Sequence, residues 1–189
     1  MAPKTPSGAG WVAKFPTSTS TADLVDPFKK NVDDFIAALK AAGATVSIGA
    51  TLRPAHRAYL MHWSFRIAKE GYSPQKVPAT VGVDIDWVHR TLAGQIDRKA
   101  SRAAALEMVT GYGIVYRPSL HSRHTEGKAI DMTITWPSST LSITPPKGAV
   151  VSIASKPRDG GNTELHKVGK AFGVIKLVSD PPHWSSDGH

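Results

Sequence analysis

Residues 122–136 read SRHTEGKAIDMTITW. From Ala129 the residues alternate: Ala129, Asp131 and Thr133 share one side of an extended chain, and Ile130, Met132 and Ile134 share the other. This pattern predicts a strand with one face on a core. Asp131 then stands inside a sheet, where an unpaired carboxylate is costly to desolvate. His124 precedes it in a polar loop, and Gly127 gives that loop the backbone freedom to double back. A histidine and an aspartate brought together in this way provide two of the three protein ligands that a catalytic zinc ion commonly takes.

The third ligand must be His, Asp or Glu, because the 189 residues include no cysteine. That absence also excludes disulfides, a thiol nucleophile and iron–sulfur clusters. The best candidate is His183 in SDPPHW, just after the apolar run VIKL (174–177), which reads as the last strand. Pro181 and Pro182 restrict the backbone and hold Asp180 and His183 at a set separation. Asp180 is then available as the general base for a metal-activated water.

Around this centre the chain reads as one α+β domain with a central antiparallel sheet flanked by helices. Residues 1–22, rich in Pro, Ser, Thr and Gly, read as a flexible or loosely packed arm, leaving 23–189 as the domain. VDPFKKNVDDFIAALKAAG predicts a helix with Asp26 as N-cap, Pro27 at the first helical position and Gly43 as the stop. Its apolar face is Phe28, Val32, Phe35, Ile36 and Leu39. TVSIGAT (45–51) alternates as a strand, and RPAHRAYLMHWSFRIAKEG reads as a buried helix ended by Gly71. Residues 71–97 read as a long loop, and DRKASRAAALEMVTGYG as a third helix. LSIT and AVVSIAS suggest a hairpin around PPKG, and NTELHKVGKAFG a short helix capped by Asn162.

The pattern S-x-H-x-x-G-x-A-x-D, formed by Ser122, His124, Gly127, Ala129 and Asp131, resembles the signature of the D-alanyl-D-alanine carboxypeptidase and L-alanyl-D-glutamate endopeptidase family. The resemblance implies a hedgehog/DD-peptidase-like fold and one zinc ion held by His124, Asp131 and His183. It implies hydrolysis of peptidoglycan stem peptides with Asp180 as catalytic carboxylate. Arg53, in TLRPAHR, matches an arginine that grips the substrate carboxylate or scissile carbonyl, a catalytic and substrate-binding role. Ser122 matches a serine that assists substrate binding; Trp184, beside His183, either walls the site as a substrate-binding residue or simply packs. Many dipeptidase members carry Glu-x-x-His at the third ligand. The Asp-x-x-His found here is closer to some phage endolysin-like endopeptidases, and the bond cleaved stays open between the two activities.

Other groups are weaker. His121 lies three residues before His124 but fits no position of the motif. Asp84, Asp86 and His89 in DIDWVH are loop residues of the kind that more often hydrogen-bond within the structure. His56 and His62 fall on different faces of their helix. There is no H-E-x-x-H, G-x-S-x-G or P-loop. The net charge of +8 suits a polyanionic partner, whether nucleic acid, an anionic membrane or bacterial cell wall. The charge is dispersed, whereas a nucleic-acid arm is usually more clustered, and the expected partner is the anionic cell wall and not nucleic acid.

No run is long enough to span a membrane, and the N-terminus lacks the apolar core of a secretory signal. The expectation is a monomer made in the cytoplasm, reaching the wall through a holin or a dedicated secretion system. The alternative function is a non-catalytic, zinc-stabilised wall-binding module of the same fold.

Overall fold

The computed structural model describes residues 4–189. In chain order its elements are β1 (Thr5–Pro6), α1 (Phe28–Ala41), β2 (Thr45–Ala50), α2 (Ala55–Glu70), β3 (Ile85–Asp86), α3 (Arg98–Gly111), β4 (Ala129–Thr135), β5 (Leu141–Ile143), β6 (Val151–Ile153), α4 (Thr163–Ala171), β7 (Ile175–Lys176) and β8 (His183–Ser185). The described residues thus form an α+β structure with four α-helices, one four-stranded antiparallel sheet and two two-stranded pairs. No helix among them is long and apolar enough to cross a membrane.

Contacts divide the chain into two compact units. One comprises the residues up to Pro16 together with Pro54–His121, and the other comprises Thr17–Arg53 and Ser122–His189. In the second unit the strand order is β2-β4-β8-β7, with every neighbour antiparallel. The five apolar positions of α1 are all buried, as their helical spacing requires. They share a core with Ile130, Met132 and Ile134 of β4, with α4, and with the β5–β6 hairpin. The helix itself starts one residue later than expected. Pro27 takes the cap position with no side-chain cap bond, so Asp26 is not the N-cap. Asn162 does cap α4, accepting from the Glu164 and Leu165 N–H groups.

Two features of the sheet bear on the site. The β2–β4 register shifts between Ile48, opposite Met132, and Ala50, opposite Asp131, so Gly49 is the extra residue of a bulge. Strand β8 was not expected at all: Asp180 and two prolines precede it, and it is three residues long.

In the first unit α2 and α3 enclose an aromatic core that includes Tyr59, Trp63, Trp87 and Met108. The segment read as a loose arm is folded over its described residues; residues 1–3 of that segment lie outside them. Thr5–Pro6 pairs in parallel with Ile85–Asp86, and Trp11 is buried and donates its indole N–H to the Pro6 carbonyl at 3.0 Å. Burial of Trp11 offsets the ordering entropy that the polar composition around it would not.

Candidate metal centre

Three elements of the second unit bring His124, Asp131 and His183 together. Asp131 sits on β4 and His183 directly opposite on β8, so both side chains leave the sheet on one side. His124 comes from the turn 122–127, which Gly127 closes at φ +67°. A Cβ at Gly127 would also stand 3.2 Å from the Asp23 carbonyl oxygen, so glycine meets both a conformational and a steric requirement. The turn is fastened to the sheet by Arg53 N–H donating to the His124 carbonyl at 3.0 Å.

The three facing atoms form a nearly equilateral triangle. His124 Nε2 is 3.1 Å from Asp131 Oδ1 and 3.2 Å from His183 Nδ1, and His183 Nδ1 is 3.1 Å from Asp131 Oδ1. Both histidines are buried and the aspartate is partly so. A tetrahedral ion with bonds of about 2.0–2.1 Å holds its ligand atoms about 3.3 Å apart, close to this spacing.

Proton placement points the same way. His124 Nδ1 lies 2.6 Å from the Thr51 carbonyl, and His183 Nε2 lies 3.2 Å from the His189 main-chain oxygen. Those oxygens only accept, so each outer nitrogen carries the proton. The inner nitrogens then converge on each other and on a carboxylate oxygen. Outer N–H groups fixed by oxygens are the usual support of histidine ligands. The group can hold one metal ion. Burial pushes the Asp131 carboxyl upward, but hydrogen bonding and charge from His124 and His183 outweigh this and hold it well below the usual carboxylate range.

The remaining expected site residues are placed less uniformly. Asp180 lies in the exposed turn between β7 and β8. Its N–H donates to the Leu177 carbonyl at 3.2 Å and its carbonyl accepts the His183 N–H at 3.0 Å, so its backbone is tied to that of a candidate ligand. Arg53 is half-buried between β2 and α2. Ser122 opens the turn that carries His124: its carbonyl accepts the Thr125 N–H at 2.9 Å, and its own N–H donates to Thr125 Oγ1 at 2.9 Å.

Trp184 corrects the expectation that it walls the site. Strand alternation turns it away from His183 into the core, fully buried, with its ring centroid 5.6 Å from that of Phe35. Gly169 of α4 permits this, since a Cβ there would lie 2.7 Å from the indole.

Lys176 was not anticipated. Its ammonium is buried and donates to the carbonyls of Leu177 at 2.6 Å, Asp180 at 2.5 Å and His183 at 3.0 Å. Burial lowers its pKa, while the Asp180 and Asp131 carboxylates act in the opposite direction. All three donors are thus spent on the turn that carries Asp180 and His183. The sequence signal was slight: a lone lysine at a position where β7 should continue its apolar pattern.

The rival histidines are engaged elsewhere. His121 is exposed, His89 pairs with Ser7 Oγ at 3.0 Å, His56 with the Val81 carbonyl at 3.0 Å, and His62 with the Pro118 carbonyl at 2.8 Å. Asp86 accepts the Val88 N–H at 2.9 Å. Among the described residues, His124, Asp131 and His183 form the one group of three or more His, Asp or Glu able to share an ion. Comparison of the chain with known protein families, with curated proteins and with solved structures finds no match.

Proposed function

We propose that this chain is a zinc-dependent peptidase of hedgehog/DD-peptidase-like fold that hydrolyses peptidoglycan stem peptides. The observation that carries the reading is the triangle formed by His124 Nε2, Asp131 Oδ1 and His183 Nδ1, two of them from the S-x-H-x-x-G-x-A-x-D pattern. Two imidazoles and one carboxylate suit zinc, and a three-ligand set leaves a position for substrate chemistry. When bound, the ion supplies Lewis-acid polarisation of the scissile carbonyl and lowers the pKa of the attacking water to about 7.

The other steps fall to the chain's own side chains. Asp180 takes the proton from the water and passes it to the leaving amine. Arg53 orients the substrate through its carboxylate or scissile carbonyl and offsets the negative charge that develops there. Ser122 assists in holding the peptide. The net charge of +8 attracts the protein to an anionic wall, an attraction that salt screens. The substrate bond is either that between L-alanine and D-glutamate or the terminal D-alanyl-D-alanine bond.

The test is mass spectrometry of fragments released from purified peptidoglycan, with metal content measured on the same sample. Stoichiometric zinc and chelator-sensitive release support the proposal, and the fragment masses identify the bond. Chelator-insensitive release refutes the metal mechanism. Zinc binding without release at any tested pH favours a wall-binding module instead.

A further inference from the structure

We infer that the edge of β4 beyond Asp131 docks the extended limb of a peptide substrate, and that Asp159 at its far end receives a primary amine on that peptide. The inference rests on the peptidase reading of the metal centre. Strand β4 pairs with β2 from Asp131 to Thr135, but its pairing with β8 ends at Asp131 opposite His183. One more bond follows, from Met132 N–H to the Pro182 carbonyl at 2.8 Å. The ladder stops there for a chemical reason: Pro182 has no N–H to give the Met132 carbonyl. The next amide on this edge, Ile134 N–H, has no main-chain acceptor among the described residues, while the Ile134 carbonyl accepts from Gly160 N–H at 3.0 Å. A carbonyl and an N–H two residues apart on one edge are the pair that a residue of an added strand satisfies.

The space beside this edge is a groove of about 550 Å³. Met132 and Pro182, the sequence neighbours of Asp131 and His183, line it, so it begins one residue along each strand from those two side chains. Thr135, Asp159 and Gly160 line it farther along β4, where Thr135 and Asp159 are bridged. Residues 158–160 pair with β4 from the Ile134 carbonyl onward, with Trp136 N–H donating to the Arg158 carbonyl at 3.3 Å. The open edge therefore runs from the Met132 carbonyl to the Ile134 N–H, about 7 Å at about 3.3 Å per residue, with Asp159 at its end.

The loop at the far end is firmly held. Buried Asn162 donates to the Ser155 and Pro157 carbonyls at 3.0 and 2.8 Å, and Gly161 N–H occupies Asp159 Oδ1 at 2.8 Å. Nothing lies within 4 Å of where a Cβ at Gly160 would stand, so the main chain there is open. In a chain of net charge +8, Asp159 is the one ionisable side chain lining the groove. A carboxylate so placed favours an ammonium, as on a diamino-acid residue of a stem peptide, over a neutral or acidic side chain.

The experiment uses the zinc-loaded full chain carrying Asp180→Asn to suppress turnover. The probes are a synthetic L-Ala–γ-D-Glu–L-Lys–D-Ala peptide and its Nε-acetyl counterpart. The Ile134 amide is expected to shift and exchange more slowly on binding, and the free-amine peptide to bind about 5-fold more tightly than the acetylated one. Asp159→Asn should erase that difference, and Gly160→Leu should weaken both peptides. An Ile134 amide unmoved at saturation, no binding of either peptide, or a ratio unchanged by Asp159→Asn overturns the inference. Wall hydrolysis by the wild type, measured separately, distinguishes the fates. Cleavage with any of those failures removes the groove alone, and an Ile134 response with the 5-fold ratio but no cleavage keeps the groove and removes the peptidase.

Discussion

Asp131 and His183 oppose each other across the β4–β8 ladder, with Asp131 Oδ1 3.1 Å from His183 Nδ1. Their neighbours Ile130 and Trp184 form the adjacent pair and are both fully buried on the other side. The register that buries Ile130 with Trp184 therefore also aligns the two ligands, because a slip by one residue would turn each side chain to the opposite face. Asp131→Asn preserves the shape of the pair and removes its charge. Zinc affinity should fall about 100-fold or more while the far-ultraviolet circular dichroism is unchanged. A competition titration against a chromophoric chelator measures this.

Removing the ion should lower stability, since the ligands come from separate segments and only the folded chain assembles them. At a free zinc concentration about 1,000 times Kd the ion contributes about 4 kcal/mol. Thermal scans with and without chelator should differ accordingly, and His124→Ala should abolish the difference.

On the proposed mechanism, Asp180→Asn separates proton transfer from metal binding. Its backbone bonds to Leu177 and His183 do not involve the carboxylate, so zinc stoichiometry should stay at one per chain. Hydrolysis of stem peptides should fall about 100- to 10,000-fold. Loss of zinc in this variant would show that the carboxylate belongs to the ligand set.

Lys176→Met replaces the ammonium by an apolar group of similar length and leaves three carbonyls without their donor. Stability should drop by roughly 1.5–3 kcal/mol, read from denaturant midpoints. Zinc affinity should fall about 10-fold as well, because the His183 backbone loses a fixed contact. An unchanged affinity would confine Lys176 to a stabilising role.

Burial pushes the Tyr112 phenol up to about 12, against an ordinary value of 10.0. The folded state then holds this proton where the unfolded chain releases it. Stability from this source is complete below pH 10 and is lost as the pH rises from 10 towards 12. Urea midpoints at pH 9 and 11 should diverge less in Tyr112→Phe than in the wild type.

Where packing is local or strongly patterned, the sequence was readable. The face of α1 followed from 3.6-residue spacing, β4 from alternation, and the β5–β6 hairpin from two apolar runs around Pro-Pro-Lys-Gly. His124, Asp131 and His183 were recognisable because the ligand chemistry restricts residue type. Strand β8 was hidden by its length and by the prolines before it. Lys176 was missed because a lysine is buried only where carbonyls converge, and chain reversal alone brings Leu177, Asp180 and His183 together. The placement of Trp184 was inferable: if His183 faces the metal, its neighbour in an extended chain faces away. Trp11 sits in a stretch of polar composition, and its core is completed by residues far along the chain.

The Gly49 bulge lies just ahead of Ala50 and Thr51, and the Thr51 carbonyl is the group that holds His124 Nδ1. Deleting Gly49 would restore even pairing with β4 and withdraw that carbonyl from the imidazole. The bulge thus places the support of His124 under the control of one glycine outside the candidate group: editing Gly49 changes that support while leaving His124, Asp131 and His183 untouched.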